Sequence, residues 1–358
     1  VPPTPVRLRQ GRAASPVLGP LVEDAVRAAY ADAAGPDLAA ALDLAVLLGR
    51  TLPLPAGGDT VGLWEALATL GAVDLTVARV VEPHLDALAV LAEAAAAGSV
   101  APDAPDDATW GVYAAEGPHR LQARQTPDGW VLDGEKSWCS LADHVDHALV
   151  TAWVDETRRG LFAVDLGAAG VARQATGGWV ARGLAAVRST GLRLDAVPAT
   201  PVGDPDWYLT RPGFAWGGAG VAAVWFGGAV GVARRLRESA GRREPDQLAL
   251  THLGAVDAVL DGARGALAAA ADLADTRPDA ARADLVATRV RQQVADATTE
   301  VLDRTGRALG PGPLATEEPH ARRVADLGLY LRQHHAERDL ARLGSLVLAA
   351  APDVERWW

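Results

Sequence analysis

Apolar residues recur at helical spacing from Leu18 to about Gly98. Leu38, Leu42, Leu44, Ala45 and Leu48 return at three- and four-residue steps, which predicts a helix with one buried face. Leu63 to Leu91 repeats the pattern, and Asp59 or Thr60 stands where an N-cap belongs. Pro83 is expected to break or kink that stretch, because proline removes a helix hydrogen bond. Pro102 and Pro105, set among aspartates, mark a boundary. The opening segment, Val1 to Arg12, lacks a basic stretch followed by an apolar one and reads as a loose arm.

The pattern changes after Thr109. Short apolar runs follow, such as Trp130-Val131-Leu132, His147 to Thr151 and Leu161 to Val164, separated by turn formers. Pro127-Asp128-Gly129 and Asp133-Gly134 are the clearest turns. Gly191 to Asp195 alternates as a strand does. From Trp216 to Ala350 helical spacing returns, and Pro245, Pro278 and Gly310-Pro311-Gly312-Pro313 divide it into about four long helices. Between Leu285 and Leu309 apolar residues share one face, with Arg289, Arg291 and Gln292 elsewhere. The expected fold class is mainly α with a central β-domain: helices over 1–108, an all-β unit over 109–208 and a helical bundle over 209–358.

Composition narrows the reading. A chain of 358 residues, 49% hydrophobic, has room for a sizeable core. No run of apolar residues long enough to cross a bilayer is free of charges or turn formers, so no membrane span is expected. A net charge of −11 argues against a nucleic-acid partner. Cys139 is the single cysteine, which excludes an internal disulfide and a Cys-based zinc site; a cytoplasmic location is the default. Arg79, Glu82 and His84 cluster around Pro83 at steps that do not suit a metal, whereas His144 and His147, three apart beside Asp143 and Asp146, invite a metal reading. No dinucleotide-binding glycine motif and no Walker A sequence is present.

Helices, then a β-domain, then helices is an unusual order. Trp130-Val131-Leu132-Asp133-Gly134-Glu135-Lys136-Ser137-Trp138-Cys139-Ser140 resembles the signature strand pair of the acyl-CoA dehydrogenase superfamily, with its Asn/Asp-Gly-x-Lys-x-Trp-x-Thr/Ser pattern. Trp110 to Glu116 is similar to the segment that opens that family's β-domain, and Asp143 to Trp153 to its next strand. The resemblance thus places His144 and His147 at the start of a strand and sets the metal reading aside; no metal is expected. Phe226-Gly227-Gly228-Ala229-Val230-Gly231 resembles a stretch on the first bundle helix, and Asp74 to His84 the helix preceding the β-domain. The resemblance covers roughly residues 20 to 345. It implies a helical domain, a β-barrel-like domain and a four-helix bundle, together with FAD or FMN and a homodimer or homotetramer. It implies further that Trp138 packs on the flavin, that Ser140 bonds near its N5 edge, and that Tyr113, Ala114 and Ala115 meet its pyrimidine side. Gly310 and Gly312 stand where a neighbouring subunit's turn grips the cofactor's diphosphate.

The chain departs from that pattern at the base. Both family positions for the catalytic glutamate lack a carboxylate: one falls in Leu331 to Ala336, the other near Val221-Ala222-Ala223. A base must reach the proton it takes, so ordinary acyl-CoA dehydrogenation is not expected. His335, then His334, are the candidate bases at the first position, since only one can point inward. Arg242 to Gln247 replaces the family's Arg-x-x-Phe segment, and the prolines beside Gly310 and Gly312 remove amide donors. Three functions stay open: a flavin-dependent oxidoreductase on an acyl thioester or a small molecule, a reduced-flavin monooxygenase, or a non-catalytic member that assembles with a partner.

Overall fold

The computed structural model describes residues 3–9, 11, 13, 15–30, 35–174, 178–242 and 244–350. Four helices come first: α1 (Leu18–Ala29), α2 (Leu38–Thr51), α3 (Thr60–Val73) and α4 (Leu75–Ala96). The carboxylates of Asp37, Asp59 and Asp74 accept from backbone N–H groups of the first turns of α2, α3 and α4, the usual N-cap arrangement. Asp74 therefore divides the run from Leu63 to Leu91, and Pro83 lies inside α4 without ending it. The described part of the opening arm is not loose. Val6 N donates to Thr69 Oγ1 at 2.9 Å, Leu8 N to Glu65 Oε1 at 2.9 Å, and Leu8 is fully buried. Val1, Pro2, Gln10 and Arg12 lie outside the described residues.

Seven strands follow: β1 (Trp110–Tyr113), β2 (Leu121–Thr126), β3 (Gly129–Ser140), β4 (His147–Trp153), β5 (Arg159–Asp165), β6 (Val171–Arg173) and β7 (Ser189–Pro201). Strands β2, β3, β7, β5 and β4 pair in a closed circuit, so the sheet is barrel-like; β1 adds to β4 and β6 to β7. Pro127-Asp128 makes the β2–β3 hairpin. Asp133-Gly134 does not turn the chain: it is a bulge within β3, where the register against β7 slips. Gly134 has φ +121°, and a Cβ there would lie 2.5 Å from Arg120 O, so only glycine suits the bulge.

The last zone holds α5 (Trp207–Thr210), α6 (Gly213–Gly241), α7 (Gln247–Asp275), α8 (Ala280–Leu309), α9 (Gly312–Thr316), α10 (Glu318–Tyr330) and α11 (Glu337–Ala349). Three of these helices are long. The expected fourth is split into α10 and α11 by a short 3-10 turn at Leu331–Gln333 and by Ala336, whose φ is +48°. Helix α6 is long and apolar enough to cross a membrane, but 72% of its apolar window is buried inside the protein, so it serves as the core helix. It packs between α3 and α8.

The segment between β6 and β7 is held down on α10. Gly183 has no Cβ to collide with Ala325 O, and Leu184 N donates to Asp326 Oδ1 at 2.5 Å. Asp326 is 2% exposed, and burial pushes its carboxyl up to about 6. In the unfolded chain it titrates near 3.8. Between those values the folded chain binds more protons, so stability falls as pH rises through the window and the deficit is complete above it. Asp326→Asn keeps the acceptor for Leu184. We expect it to stabilise the protein at pH 8 by on the order of 2–3 kcal/mol, with the gain vanishing below about pH 4. Denaturant unfolding at both pH values checks this; a variant less stable than the parent at pH 8 would contradict it.

Candidate functional site

A second irregularity in β3 aims a side chain outward. The register against β7 slips again between Lys136 and Cys139, and Trp138 sits there with φ +62°. A bulge of this kind re-aims the side chain it carries, and the Trp138 residue is 59% exposed. Lys136, two residues earlier, is buried. Its Nζ donates to Glu116 Oε1 at 3.1 Å and to Thr151 Oγ1 at 2.8 Å. Thr151 Oγ1 in turn donates to Ala114 O at 3.3 Å. Burial pulls the Lys136 amine down, and the Glu116 carboxylate opposes that. The lysine thus ties the segment that follows β1 to β4, and the tryptophan two residues on faces the open side. The Cys139 thiol lies under the bulge, pushed up to about 12 by burial, and stays protonated.

Trp138 stands at the wall of a cleft of about 640 Å³, a size that suits a cofactor. The β-domain supplies Ala114, Ala115, Ser140, Trp179, Leu184 and Val187; α4 supplies Arg79, Glu82 and Asp86; the C-terminal zone supplies Tyr330, Gln333 and His335. Ser140 Oγ is held at 2.7 Å from Ser189 Oγ and receives Arg79 Nη2 at 3.4 Å. Arg79 Nη1 also donates to Glu82 Oε2 at 3.3 Å, where the Tyr330 hydroxyl arrives at 3.1 Å. A line of polar contacts therefore joins Tyr330, Glu82, Arg79 and Ser140. Burial pushes both the Glu82 carboxyl and the Tyr330 phenol up.

Behind the cleft lies a chamber of about 360 Å³, and Glu82, Asp86, Tyr208, Gln333 and His335 line both. Its far walls carry charge. Arg342 grips Asp284 with both contacts at 2.7 Å. Arg291 lies 4.8 Å over the Trp225 ring and donates to Gly218 O at 2.5 Å. Arg291 was expected away from the apolar face of α8; the structure turns it inward, over Trp225 and onto Gly218 O. Arg211, 5% exposed, donates to Glu93 Oε2 at 2.7 Å and to Asp86 Oδ1 at 3.4 Å.

The residues singled out from the sequence fall into three places. Trp138, Ser140, Ala114, Ala115 and His335 line the one cleft. Tyr113 is buried behind it and donates its hydroxyl to Ser140 O at 3.0 Å, so it positions the strand and does not line the cleft. His334 turns from the cleft into the core, edge-on to Trp225 at 6.3 Å, and burial holds its imidazole below the ordinary value. Gly310 and Gly312 lie in the α8–α9 turn, away from this chain's cleft. Arg243 is outside the described residues, and Arg242 pairs with Glu238 at 2.6 Å. His147 stacks on Trp110 at 4.9 Å while His144 meets Arg188, so the two histidines do not converge. Sequence reasoning passed over Asp86, Arg211 and Tyr208, and weighed Glu82 only as a metal ligand. The one local feature was that Glu82 and Asp86 stand one turn apart on α4.

No protein-family model and no curated protein sequence matches the chain. Solved structures do. Butyryl-CoA dehydrogenase from Megasphaera elsdenii superposes with a TM-score of 0.75 at 16% identity, over 95% of this chain and 100% of that one. KijD3 in complex with FMN and a dTDP-linked amino keto sugar gives 0.75 at 18%, over 97% and 96%. TdsC from Paenibacillus sp. A11-2, a dibenzothiophene monooxygenase, gives 0.74 at 18% in its complex with FMN and indole, over 92% and 95%. Over most of its length, then, this chain has the fold of the acyl-CoA dehydrogenases.

Proposed function

We propose that the chain is a flavin-dependent oxidoreductase acting on a polar small molecule, in a cytoplasmic homodimer or homotetramer. The observation that carries the reading is the cleft with Trp138 as its aromatic wall. An isoalloxazine ring is flat and apolar with a polar edge, and needs such a wall beside a few fixed donors. Ser140 Oγ and the backbone of Ala114 and Ala115 supply polar groups on one side. Trp179 Nε1 is buried and has no hydrogen-bond partner among the described residues, which leaves a donor for a ligand. FMN or FAD bound here would supply the redox chemistry; the chain's own residues hold it, exclude water and handle protons.

The substrate side argues against saturated acyl-CoAs. An acyl chain needs an apolar tunnel, whereas the chamber behind the cleft carries Arg211, Arg291, Arg342, Asp284 and Asp339 in its wall beside Phe214, Ala215, Val221 and Ala287. Val221, Gln333 and His335 line the chamber and belong to the two stretches, near Val221-Ala222-Ala223 and Leu331 to Ala336, where the family pattern puts its glutamate; neither stretch has a carboxylate. A second reading, a reduced-flavin monooxygenase, is favoured by His335 at the mouth of both cavities. The FMN-bound structures of TdsC and KijD3 share the fold and make FMN as good a candidate as FAD.

The test is anaerobic mixing of flavin-loaded protein with butyryl-, octanoyl- and palmitoyl-CoA while the oxidised flavin band is followed. The expected result is no bleaching with any of them, since a missing positioned base costs roughly 10²- to 10⁴-fold. Rapid bleaching by one of the three would overturn the polar-substrate reading.

A further inference from the structure

Asp86 occupies an unusual place. It lines the flavin-sized cleft, the charged chamber behind it and two further cavities between α4 and α6. Room for it comes from α6: a Cβ on Gly217 would lie 2.8 Å from Asp86 Oδ1. Its side chain is only 21% exposed, yet it is weakly compensated. Arg211 is its single hydrogen-bond partner among the described residues, at 3.4 Å, and that guanidinium lies nearer to Glu93, at 2.7 Å. Glu82, one turn earlier, differs. Its Oε2 takes both Arg79 and the Tyr330 hydroxyl, so it is occupied in holding the line to Ser140.

We propose that Asp86 is the acid–base residue of this site, exchanging a proton with the molecule bound between cleft and chamber. This rests on the flavin-dependent reading above. In the step, an O–H or N–H bond of the bound molecule breaks. Its electron pair stays on that atom, and the proton forms an O–H bond on the Asp86 carboxylate; the reverse step returns it. Burial pushes the Asp86 carboxyl up, with Arg211 and Arg79 opposing and Glu93 adding to the rise. Glu82 and Arg79 face it from α4, Tyr208 from α5, Arg211 from the segment before α6, Arg291 from α8 and His335 from the break before α11. A carboxyl raised toward the working pH inside a cleft is placed to both take and give a proton. Glu82 is a positioning residue by the same geometry.

The experiment has two arms. Infrared difference spectra of the flavin-free protein, recorded through a pH titration, follow the carboxylic-acid carbonyl band. A band titrating above the ordinary aspartate range is expected in the parent and is expected to disappear in Asp86→Asn. In the second arm, protein loaded with reduced FMN is mixed with oxygen and its reoxidation rate is measured against pH. The parent is expected to show a pH step that Asp86→Asn flattens, while Gly217→Ala, which crowds the carboxylate without removing it, displaces the step. Thermal melting confirms that both variants fold. The raised Asp326 and Glu82 carboxyls remain in both spectra, so a parent-minus-variant difference that contains no raised band, or a reoxidation profile that Asp86→Asn leaves unchanged, overturns the proposal. Should FMN fail to bind at all, the flavin reading fails, and the infrared arm still decides Asp86.

Discussion

Gly227→Ala is expected to destabilise the protein by roughly 3 kcal/mol or more, the upper end of what overpacking costs. A Cβ at Gly227 would overlap Ala68 O of α3, and one at Gly71 would overlap Val224 O of α6. The two helices therefore cross backbone to backbone, each through a glycine of its own. Neither backbone can move without disturbing the other, because Trp64 and Trp225 are fully buried along these helices. Gly71→Ala is expected to cost about as much. Gly265→Ala on α7, with open space around the new methyl, is expected to change stability by less than about 1 kcal/mol, in the stabilising direction. Denaturant unfolding of the three variants separates the cases; a neutral Gly227→Ala would mean that α3 and α6 do not cross this closely.

Trp138→Ala is expected to weaken flavin binding about ten- to a hundredfold while leaving the melting temperature near that of the parent. Losing one aromatic wall removes roughly 1–3 kcal/mol of apolar contact. The side chain is largely exposed without a ligand, so the fold loses little by its removal. Quenching of flavin fluorescence during titration gives the affinities. Equal affinity in parent and variant would reduce Trp138 to an ornament of the bulge and place any flavin elsewhere.

The parts of the site that could be read from the sequence are those that neighbours in sequence build. Lys136, Trp138 and Ser140 lie within five residues of one strand. They were legible through the strand's likeness to the family signature; alternation alone puts all three on one face, and the bulge that turns Trp138 outward shows only in the structure. The glycines from Gly227 to Gly231 were legible only as a likeness to a stretch on the family's first bundle helix; that Gly227 marks a close crossing with α3 shows in the structure. Asp86 and Arg211 were not legible, since 125 residues separate them and only the packing of α4 against the start of α6 joins them. An aspartate one turn after a glutamate on a helix ordinarily marks a solvated face. What makes it a buried site is Gly217, whose missing Cβ shows nothing of its purpose in the sequence. Pro83 misled the reading of α4 because the helix runs through it without a break, at the wall of the cleft, while the true break at Asp74 looks like any polar residue until its carboxylate is seen capping Val77 N. The break at Ala336 was equally hidden. No proline or glycine marks it, yet it turns His335 to the cleft and His334 to Trp225.

The central claim is that this cleft holds a flavin, and equilibrium binding tests it most directly. Purified protein is mixed with FMN or FAD, separated from free flavin by ultrafiltration, and the retained absorbance is measured. The account predicts about one flavin retained per chain, with a perturbed visible spectrum and a dissociation constant below roughly 10 μM for at least one of the two. Passage of both flavins into the filtrate at roughly 100 μM protein, with the spectrum of free flavin throughout, would contradict it.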